Sequence, residues 1–319
     1  MSGLVAAGVF IASATTSSAQ DYPSKPIRLV VPYPPGSGTD IVGRLLAQRL
    51  GENLGQQVYV DNRPGAGATI GTALVAKSAP DGYTILMADL GPLAIAPSFY
   101  RQLSYDPVKE LTPISQVAVL PFVLVVHPSV PAQNVPELIA RAKAKPGELN
   151  YASVGNGTAV HLATELFRQT AGIDIVHIPY KGSAPALTDL VAGRTSMMFV
   201  NVLSVRGFLE SRQLRALAIG TAERSPAMPD VPTVAESNMR SFRAGVWFGL
   251  LAPAETPRAI IDKLNAETVR VLRLPDFKAK LIEQGAESVP SSGDEFSALI
   301  QAEIAKWAEV IRTSGVRME

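Results

Sequence analysis

The feature of the sequence that most limits its fold is a repeated alternation of short apolar runs with helical patterns. Apolar runs of this length are typical of buried strands, and apolar residues spaced three or four apart are typical of helices. In residues 27–88 the alternation predicts strands at Ile27–Tyr33, Val58–Val60 and Tyr83–Ala88, with helices at Thr39–Leu50 and Ala66–Lys77. Strand–helix–strand spacing predicts a mostly parallel sheet with helices packed on it.

A second unit of the same kind covers residues 150–219. Its predicted strands are Asn150–Ser153, Asp174–Ile178, Thr195–Val200 and Leu214–Ile219, and its predicted helices are Thr158–Thr170, Ser183–Ala192 and Val202–Ser211, preceded by Pro136–Ala144. Between the units, "LTPISQVAVLPFVLVVHPSV" is a nearly continuous β-prone run with Pro121 in its middle. Because proline interrupts a central strand, the run predicts two strand pieces that meet there.

The end of the chain is predicted to be helical. Thr256 and Pro257 resemble an N-cap with proline at the first helical position, and Ser292 and Glu295 fit a capping box. Together the segments predict two α/β lobes: residues 21–117 and 246–319 form lobe 1, and residues 118–245 form lobe 2. The chain would cross between them near 115–123 and 244–251. Two crossing strands predict a hinge with a cleft beside it.

The composition limits the classes of function. A chain of 319 residues suits two domains, and its net charge of +1 argues against a nucleic-acid binder. The absence of cysteine excludes thiol catalysis, disulfides and cysteine-ligated zinc. The three histidines lie at no i, i+4 spacing, which argues against a metal site. Residues 1–20 are uncharged, with an apolar stretch before Ser17-Ser18-Ala19, and predict a signal peptide that is cleaved near Gln20.

Each predicted lobe has one glycine-rich turn between a strand and a helix. The turns are Pro35-Gly36-Ser37-Gly38-Thr39-Asp40 and Ser153-Val154-Gly155-Asn156-Gly157-Thr158. Main-chain amides and a helix start favour an anion, so two such turns facing one cleft would hold an anionic ligand with neutral groups. They can also be ordinary connections. We expect Gly38 and Gly157 to lie where a side chain would block the ligand or require backbone angles that only glycine adopts.

Three side chains near these turns have two interpretations each. Asp40 suits the first turn of a helix, but it can also orient the loop or meet a ligand amine. His161 can face the cleft or be a packed, hydrogen-bonded histidine, and Lys181 can attract an acidic ligand or be solvated. The stretch from Gly65 to Asp89 superficially resembles a dinucleotide fingerprint, but Ile70 stands where the third glycine belongs. We therefore expect no cofactor.

On the basis of these motifs, the chain from Tyr22 onward resembles the tripartite tricarboxylate transporter receptors, also called Bug receptors. The resemblance rests on "YPSKPIRLVVPYPPGSGTDIVGRLLA", "NRPGAGATIGTALVAKSAPDGYTIL", "PGELNYASVGNGTAVHLATELF", "HIPYKGSAPALTDLVAGR" and "WFGLLAPAETP". It implies a two-lobed periplasmic solute-binding protein of Venus-flytrap, type II-like fold, which captures a small carboxylic acid and is not an enzyme. It also implies membrane permease subunits as partners and no nucleic acid, and we expect a monomer.

The resemblance further implies a set of ligand contacts, held largely through main-chain amides and bridging waters. In lobe 1 they fall on Tyr33, Gly36, Ser37, Gly38, Thr39, Asp40, Ala88 and Asp89; in lobe 2 they fall on Ser153, Gly155, Asn156, Gly157, Thr158, His161, Tyr180, Lys181 and Gly182. The chain departs from the family where Phe199-Val200-Asn201 replaces the frequent Phe-Asp-Asn. The lost acid favours a plain carboxylic acid over an amino acid.

Two other functions stay open at this point. The same receptor could act as a ligand-binding sensor that docks onto a membrane signalling protein. The turn at Gly65–Gly71 could alternatively serve a nucleotide-dependent enzyme, although its spacing disfavours this.

Overall fold

The computed structural model describes residues 22–314, which form ten strands and ten α-helices. The strands are β1 Ile27–Val31, β2 Val58–Asn62, β3 Thr84–Asp89, β4 Leu111–Val126, β5 Asn150–Ser153, β6 Val176–Pro179, β7 Met197–Asn201, β8 Arg215–Ile219, β9 Gly245–Pro253 and β10 Glu287–Ser288. They form one sheet in the order β2-β1-β3-β9-β4-β7-β5-β6, and β8 and β10 also pair with β4. The predicted signal peptide lies outside the described residues.

The helices follow the predicted order, with boundaries that differ by a few residues. They are α1 Gly38–Leu54, α2 Thr69–Ala76, α3 Ala96–Phe99, α4 Val135–Ala144, α5 Ala159–Ala171, α6 Ser183–Val191, α7 Val202–Glu210, α8 Arg258–Arg273, α9 Pro275–Glu283 and α10 Gly293–Ser314. The capping box of Ser292 and Glu295 is confirmed at the start of α10. The predicted cap of α8 is wrong, because Thr256 Oγ1 donates to the carbonyl of Pro253 and the helix begins after Pro257.

The parallel pairing predicted from strand–helix–strand spacing is confirmed among β1, β2 and β3, but the sheet as a whole is mixed. Its outer strands are parallel, β1 with β2 and β3, and β5 with β6 and β7. At its centre, however, β9 is antiparallel to β3 and β4, and β4 is antiparallel to β7. The carboxyl ends of β1 and β3 therefore point toward those of β5 and β7, on either side of the middle of β4.

Strand β4 connects the two parts of the molecule without a break, which corrects the prediction of two strand pieces. Residues Leu111–Pro121 pair with β9, and residues Phe122–Val126 pair with β7 and β8. Pro121 pairs with Gly245, the first residue of β9. Its missing N–H is tolerated because the ladder with β9 ends at this pair.

Hydrophobic clusters divide the molecule into two lobes, as the α/β two-lobed fold predicts. One cluster is built from residues between Phe122 and Ala244, and we call residues 122–244 the second lobe. Two further clusters cover the opposite faces of the sheet in the remainder, the first lobe: one face carries α1, α8 and α9, and the other carries α10. The predicted boundaries at 118 and 246 lie inside β4 and β9, and their assignment stays a prediction. No helix within residues 22–314 has the length and hydropathy of a membrane span.

Candidate functional site

The first glycine-rich turn is fixed by Asp40. The Gly36 amide donates to Oδ2 of Asp40 at 2.8 Å, and Nδ2 of Asn62 donates to Oδ1 at 2.9 Å. Arg44 pairs with the same carboxylate at 3.0 Å. Burial raises the pKa of Asp40, but the hydrogen bonds from Arg44 and the two amides outweigh it and hold the pKa below its ordinary value. The Asp40 carboxylate is therefore ionised and orients the turn.

The two glycines of this turn differ in what they require. Gly36 has φ of +82°, which favours glycine. Gly38 is the first residue of α1, and a Cβ placed there would meet only Cζ of Phe248 at 3.6 Å. The expectation that Gly38 needs backbone angles special to glycine is therefore wrong, because its backbone is helical. Ser37 caps α1 by accepting a hydrogen bond from the Asp40 amide.

Asp89 joins three segments at the carboxyl ends of β1 and β3. Its Oδ1 accepts from the hydroxyl of Tyr33 at 2.7 Å and from the Gly91 amide at 2.9 Å, and its Oδ2 accepts from Thr39 Oγ1 at 3.3 Å. Burial raises the pKa of Asp89 to about 6, although these hydrogen bonds act in the opposite direction. Neighbouring Ala88 is fully buried. The hydroxyls of Tyr33 and Thr39 therefore have partners within the first lobe.

The second glycine-rich turn is held by His161. The Gly157 amide donates to Nδ1 of His161 at 3.0 Å, and Thr158 caps α5 by accepting from the His161 amide. Gly157 has φ of +70°, and a Cβ there would stand 2.3 Å from Cζ of Phe99 in the first lobe. The backbone angle special to glycine that was expected at Gly157 is confirmed, and the added side chain would meet Phe99. Asn156 is exposed at the tip of the turn.

His161 belongs to a stack of rings that the sequence did not indicate. Its ring lies 3.9 Å from that of His177, which lies 4.8 Å from that of Tyr151. Burial and the neighbouring His177 lower the pKa of His161 to about 4, and burial also lowers the pKa of His177. His161 is therefore neutral, as its role as an acceptor requires. Ser153 completes the group, because its Oγ lies 2.6 Å from Nε2 of His177.

Gly155 and residues Tyr180–Gly182 lie next to this stack. The Gly155 amide donates to Ser153 Oγ at 3.2 Å, and the amide of Tyr180 donates to the Ser153 carbonyl at 3.0 Å. The Tyr180 hydroxyl donates to Asp189 at 2.8 Å. Lys181 is exposed and pairs with no acidic side chain among residues 22–314, and Gly182 precedes α6 with φ of +118°.

A cavity of about 280 Å³ lies between the lobes, and we call it the interlobe cavity. From the first lobe it is lined by Gly36, Gly38, Ile41, Val42, Leu120, Phe248, Gln284 and Ala286, and from the second lobe by Asn201, Leu203 and Ser204. It thus contains two of the predicted contacts, Gly36 and Gly38, together with the start of α7. Asn201 caps α7 by accepting from the Ser204 amide at 2.9 Å.

The two predicted turns do not line this cavity together. Helix α1 packs on one face of the sheet, whereas Leu162 of α5 packs in the cluster on the other face. The second turn meets the first lobe at Phe99, and the first turn lies opposite the start of α7. The sequence analysis had singled out Phe199-Val200-Asn201 only for the acid missing at Val200, and Leu203, Ser204 and Gln284 carried no signal.

The glycines of the dinucleotide-like stretch have a packing explanation. The Tyr100 hydroxyl donates to the carbonyl of Ala66, and it would stand 2.6 Å from a Cβ on Gly67. A Cβ on Gly71 would stand 2.5 Å from the carbonyl oxygen of Arg63. These glycines allow close approach of protein atoms. Within residues 22–314, no three His, Asp or Glu side chains lie in an arrangement that could hold a metal ion.

Comparison with known proteins identifies one receptor family. The model for the tripartite tricarboxylate transporter family receptor matches residues 42–316. Protein BugT of Bordetella pertussis is 41% identical over 320 residues, covering 99% of this chain and 98% of BugT. Together they cover nearly the whole chain.

Three solved structures share the fold. R. palustris Rpa4515 with adipate is 38% identical with a TM-score of 0.77, covering 93% of this chain and 99% of that chain. Periplasmic binding protein BugD is 34% identical with a TM-score of 0.73, covering 93% and 100%. MatC from Rhodopseudomonas palustris with bound malate is 32% identical with a TM-score of 0.72, covering 91% and 100%. A family match over most of the chain and a full-length relative lead to one conclusion: the chain belongs to the tripartite tricarboxylate transporter receptor family.

Proposed function

We propose that the protein is a periplasmic receptor that captures a small carboxylate between its lobes and delivers it to a tripartite tricarboxylate-type permease. The observation that carries the proposal is the start of α1, which lies at the interlobe cavity with Gly36 and Gly38 and no basic side chain in the lining. The amides of Gly36, Ser37 and Asp40 already donate within the turn, so the amides of Gly38 and Thr39 are those that can meet a ligand. A helix start favours an anion through such amides and about half a positive charge. A carboxylate suits such a site, and two relatives are bound to the dicarboxylates adipate and malate.

The predicted site residues have one of two roles in this proposal, ligand contact or positioning of the turns. We assign Gly36, Ser37, Gly38 and Thr39 to ligand contact. We assign Asp40, Asp89 and His161 to positioning, because the polar atoms of these three side chains bind neighbouring main chain and side chains. The receptor would bind its ligand without catalysis and without a cofactor. Export would follow from the predicted signal peptide; N-terminal sequencing of protein released by osmotic shock should find a start near Gln20.

A panel of mono- and dicarboxylic acids of about four to ten carbons tests the proposal by thermal shift and calorimetry. At 100 times its dissociation constant, a ligand adds about 2.7 kcal/mol of stability. At roughly 2–4 °C per kcal/mol, the melting temperature should rise by several degrees. The amide and methyl ester of the same acid should give no shift, because each unpaired donor in the site costs about 1–3 kcal/mol. Equal stabilisation by the amide would contradict the carboxylate site.

A matched pair of glycine substitutions locates the site. Gly38→Asp puts a negative charge at the start of α1, so it should weaken binding of the acid at least tenfold. Gly207→Asp is the control, because Gly207 is also helical, has open space around it and lies outside the cavity lining. Equal affinity of the two variants would place the carboxylate elsewhere.

A further inference from the structure

Three polar side chains in the lining of the interlobe cavity have groups that make no hydrogen bond within residues 22–314. These groups are the hydroxyl of Ser204, the amide group of Gln284 and Nδ2 of Asn201. Asn201 and Ser204 lie at the start of α7 in the second lobe, whereas Gln284 follows α9 in the first lobe. The polar groups that a molecule in the cavity can bind therefore come from both lobes.

The contact between Gly285 and Leu203 brings these side chains together. A Cβ on Gly285 would stand 3.0 Å from Cβ of Leu203 and 3.6 Å from its amide nitrogen, so the lobes touch here. Gln284 precedes Gly285, and Leu203 lies between Asn201 and Ser204 in the sequence. The side chains of Asn201, Ser204 and Gln284 therefore surround one interlobe contact, and we call these three side chains the seam subsite.

Both sides of the seam subsite are held in place by contacts within the protein. Ser225 of the second lobe donates a hydrogen bond to the carboxylate of Glu287, in β10 just beyond Gln284. Oδ1 of Asn201 accepts from the Ser204 amide at 2.9 Å, and because that donor requires an oxygen, Nδ2 is the group left for a ligand. Polar groups that are positioned before binding lose less conformational freedom when they bind.

The seam subsite offers hydrogen bonds without a formal charge. Nδ2 of Asn201 can only donate, whereas the Ser204 hydroxyl and the Gln284 amide group can donate or accept. A ligand oxygen suits this set, because its lone pairs accept from all three side chains. A methyl group in the same place would leave donors without partners, which is unfavourable once the cavity excludes water.

We infer that the seam subsite recognises a second, oxygen-bearing group on the ligand, with Ser204 and Gln284 as specificity-determining residues. The inference rests on the proposed function, in which the ligand's carboxylate lies at the start of α1. Because the start of α1 and the seam subsite line the same cavity, one small molecule can contact both. A ligand that does so also bridges the two lobes.

ω-Hydroxy acids of four to eight carbons test the inference, each compared with the unbranched fatty acid that is one carbon longer. The two acids of a pair have the same charge and the same number of non-hydrogen atoms, and a hydroxyl replaces a methyl group. Six of the eleven lining residues are apolar, so without the seam subsite the fatty acid should bind more tightly. We expect calorimetry at pH 7 to give the best-fitting hydroxy acid a dissociation constant at least tenfold lower than that of its fatty acid.

The controls separate this inference from the proposed function. If fatty acids bind and no hydroxy acid binds more tightly than its fatty acid, the inference is overturned and the proposed function stands. If no acid of the whole carboxylic acid panel binds, the proposed function is overturned as well.

Two substitutions test the residues themselves. Gln284→Leu and Ser204→Ala should each reduce the preference for the hydroxy acid at least threefold, and the double variant should abolish it. Asn201 stays unchanged because it caps α7. Gln48→Leu is the control, since Gln48 is exposed on α1 and lies outside the lining. Binding of the fatty acid shows that each variant is folded, and a preference that persists in the double variant would overturn the assignment.

Discussion

Two buried titratable side chains, one in each lobe, support the turns. Asp89 accepts three hydrogen bonds and has a pKa of about 6, because burial outweighs them. His161 accepts the Gly157 amide and has a pKa of about 4, lowered by burial and by His177. Burial favours the neutral form of each side chain, and each side chain fixes backbone near a proposed contact.

These two residues make opposite contributions to the pH dependence of stability. The folded state binds the Asp89 proton more tightly than the unfolded state. The stabilisation of the folded state by Asp89 is therefore complete below pH 4 and is lost as pH rises to about 6. The folded state binds the His161 proton less tightly, so its contribution is complete above about pH 6.5 and is lost as pH falls to about 4. In the wild type the two contributions partly cancel.

Substitution separates the two contributions. Relative to wild type, the unfolding free energy of Asp89→Asn should rise between pH 4 and pH 7 by at most about 3 kcal/mol, from roughly two units at about 1.36 kcal/mol each. That of His161→Asn, whose side-chain oxygen can replace Nδ1 as acceptor, should fall over the same range. Urea denaturation at pH 4, 5, 6 and 7 measures both, and Asp262→Asn, exposed on α8, is the control. If the unfolding free energies of both variants ran parallel to that of the wild type across this pH range, neither side chain would have a shifted pKa.

At the scale of elements, the contact between the α5 turn and Phe99 joins the lobes. Gly157→Ala should destabilise the protein for two reasons. Alanine in a left-handed backbone conformation costs about 1–2 kcal/mol, and its Cβ would clash with Phe99. Phe99→Ala removes only the clash, so the cost of Gly157→Ala should be smaller by about 0.5–3 kcal/mol in that background. Denaturation of the four proteins of this double-mutant cycle gives the coupling.

Gly172→Ala is the matched control for this cycle. Gly172 ends the same helix with φ of +60° and has no atom within 4 Å of its added Cβ. Its substitution should carry the backbone strain alone and show no coupling to Phe99. Coupling of Gly157 to Phe99 no larger than that of Gly172 would mean that the two lobes adjust freely at this contact.

Local patterns were sufficient to predict the strand–turn–helix units and the capping box of α10. They failed at β4, because the tolerance of Pro121 depends on where the partner strand β9 begins, which only the folded sheet decides. The same distinction applies to the candidate site: part of it follows from local sequence, and part follows only from the folded sheet. The amides of the first turn follow from local sequence, but its position opposite Asn201 and Ser204 follows from the order of strands. The stack of His161 on His177 likewise joins residues from two different elements.

At the scale of the whole molecule, the chain crosses between the lobes twice, within β4 and immediately before β9. Two crossings permit relative motion of the lobes about the middle of β4, where Pro121 pairs with Gly245. The interlobe cavity lies beside this point, with Leu120 in its lining. A molecule in the cavity contacts both lobes, so its binding free energy should limit their motion.

Hydrogen exchange tests this coupling on the intact receptor. With the tightest-binding acid of the panel at 100 times its dissociation constant, exchange should slow in residues 36–41 of the first lobe and also in residues 201–205 of the second. Both segments line the cavity, whereas the edge strands β2 and β6 lie outside its lining and should show little local change. The corresponding amide compound should leave all four segments unchanged. Protection confined to one lobe would mean that the ligand binds to that lobe alone, and closure around the cavity would then have to be abandoned.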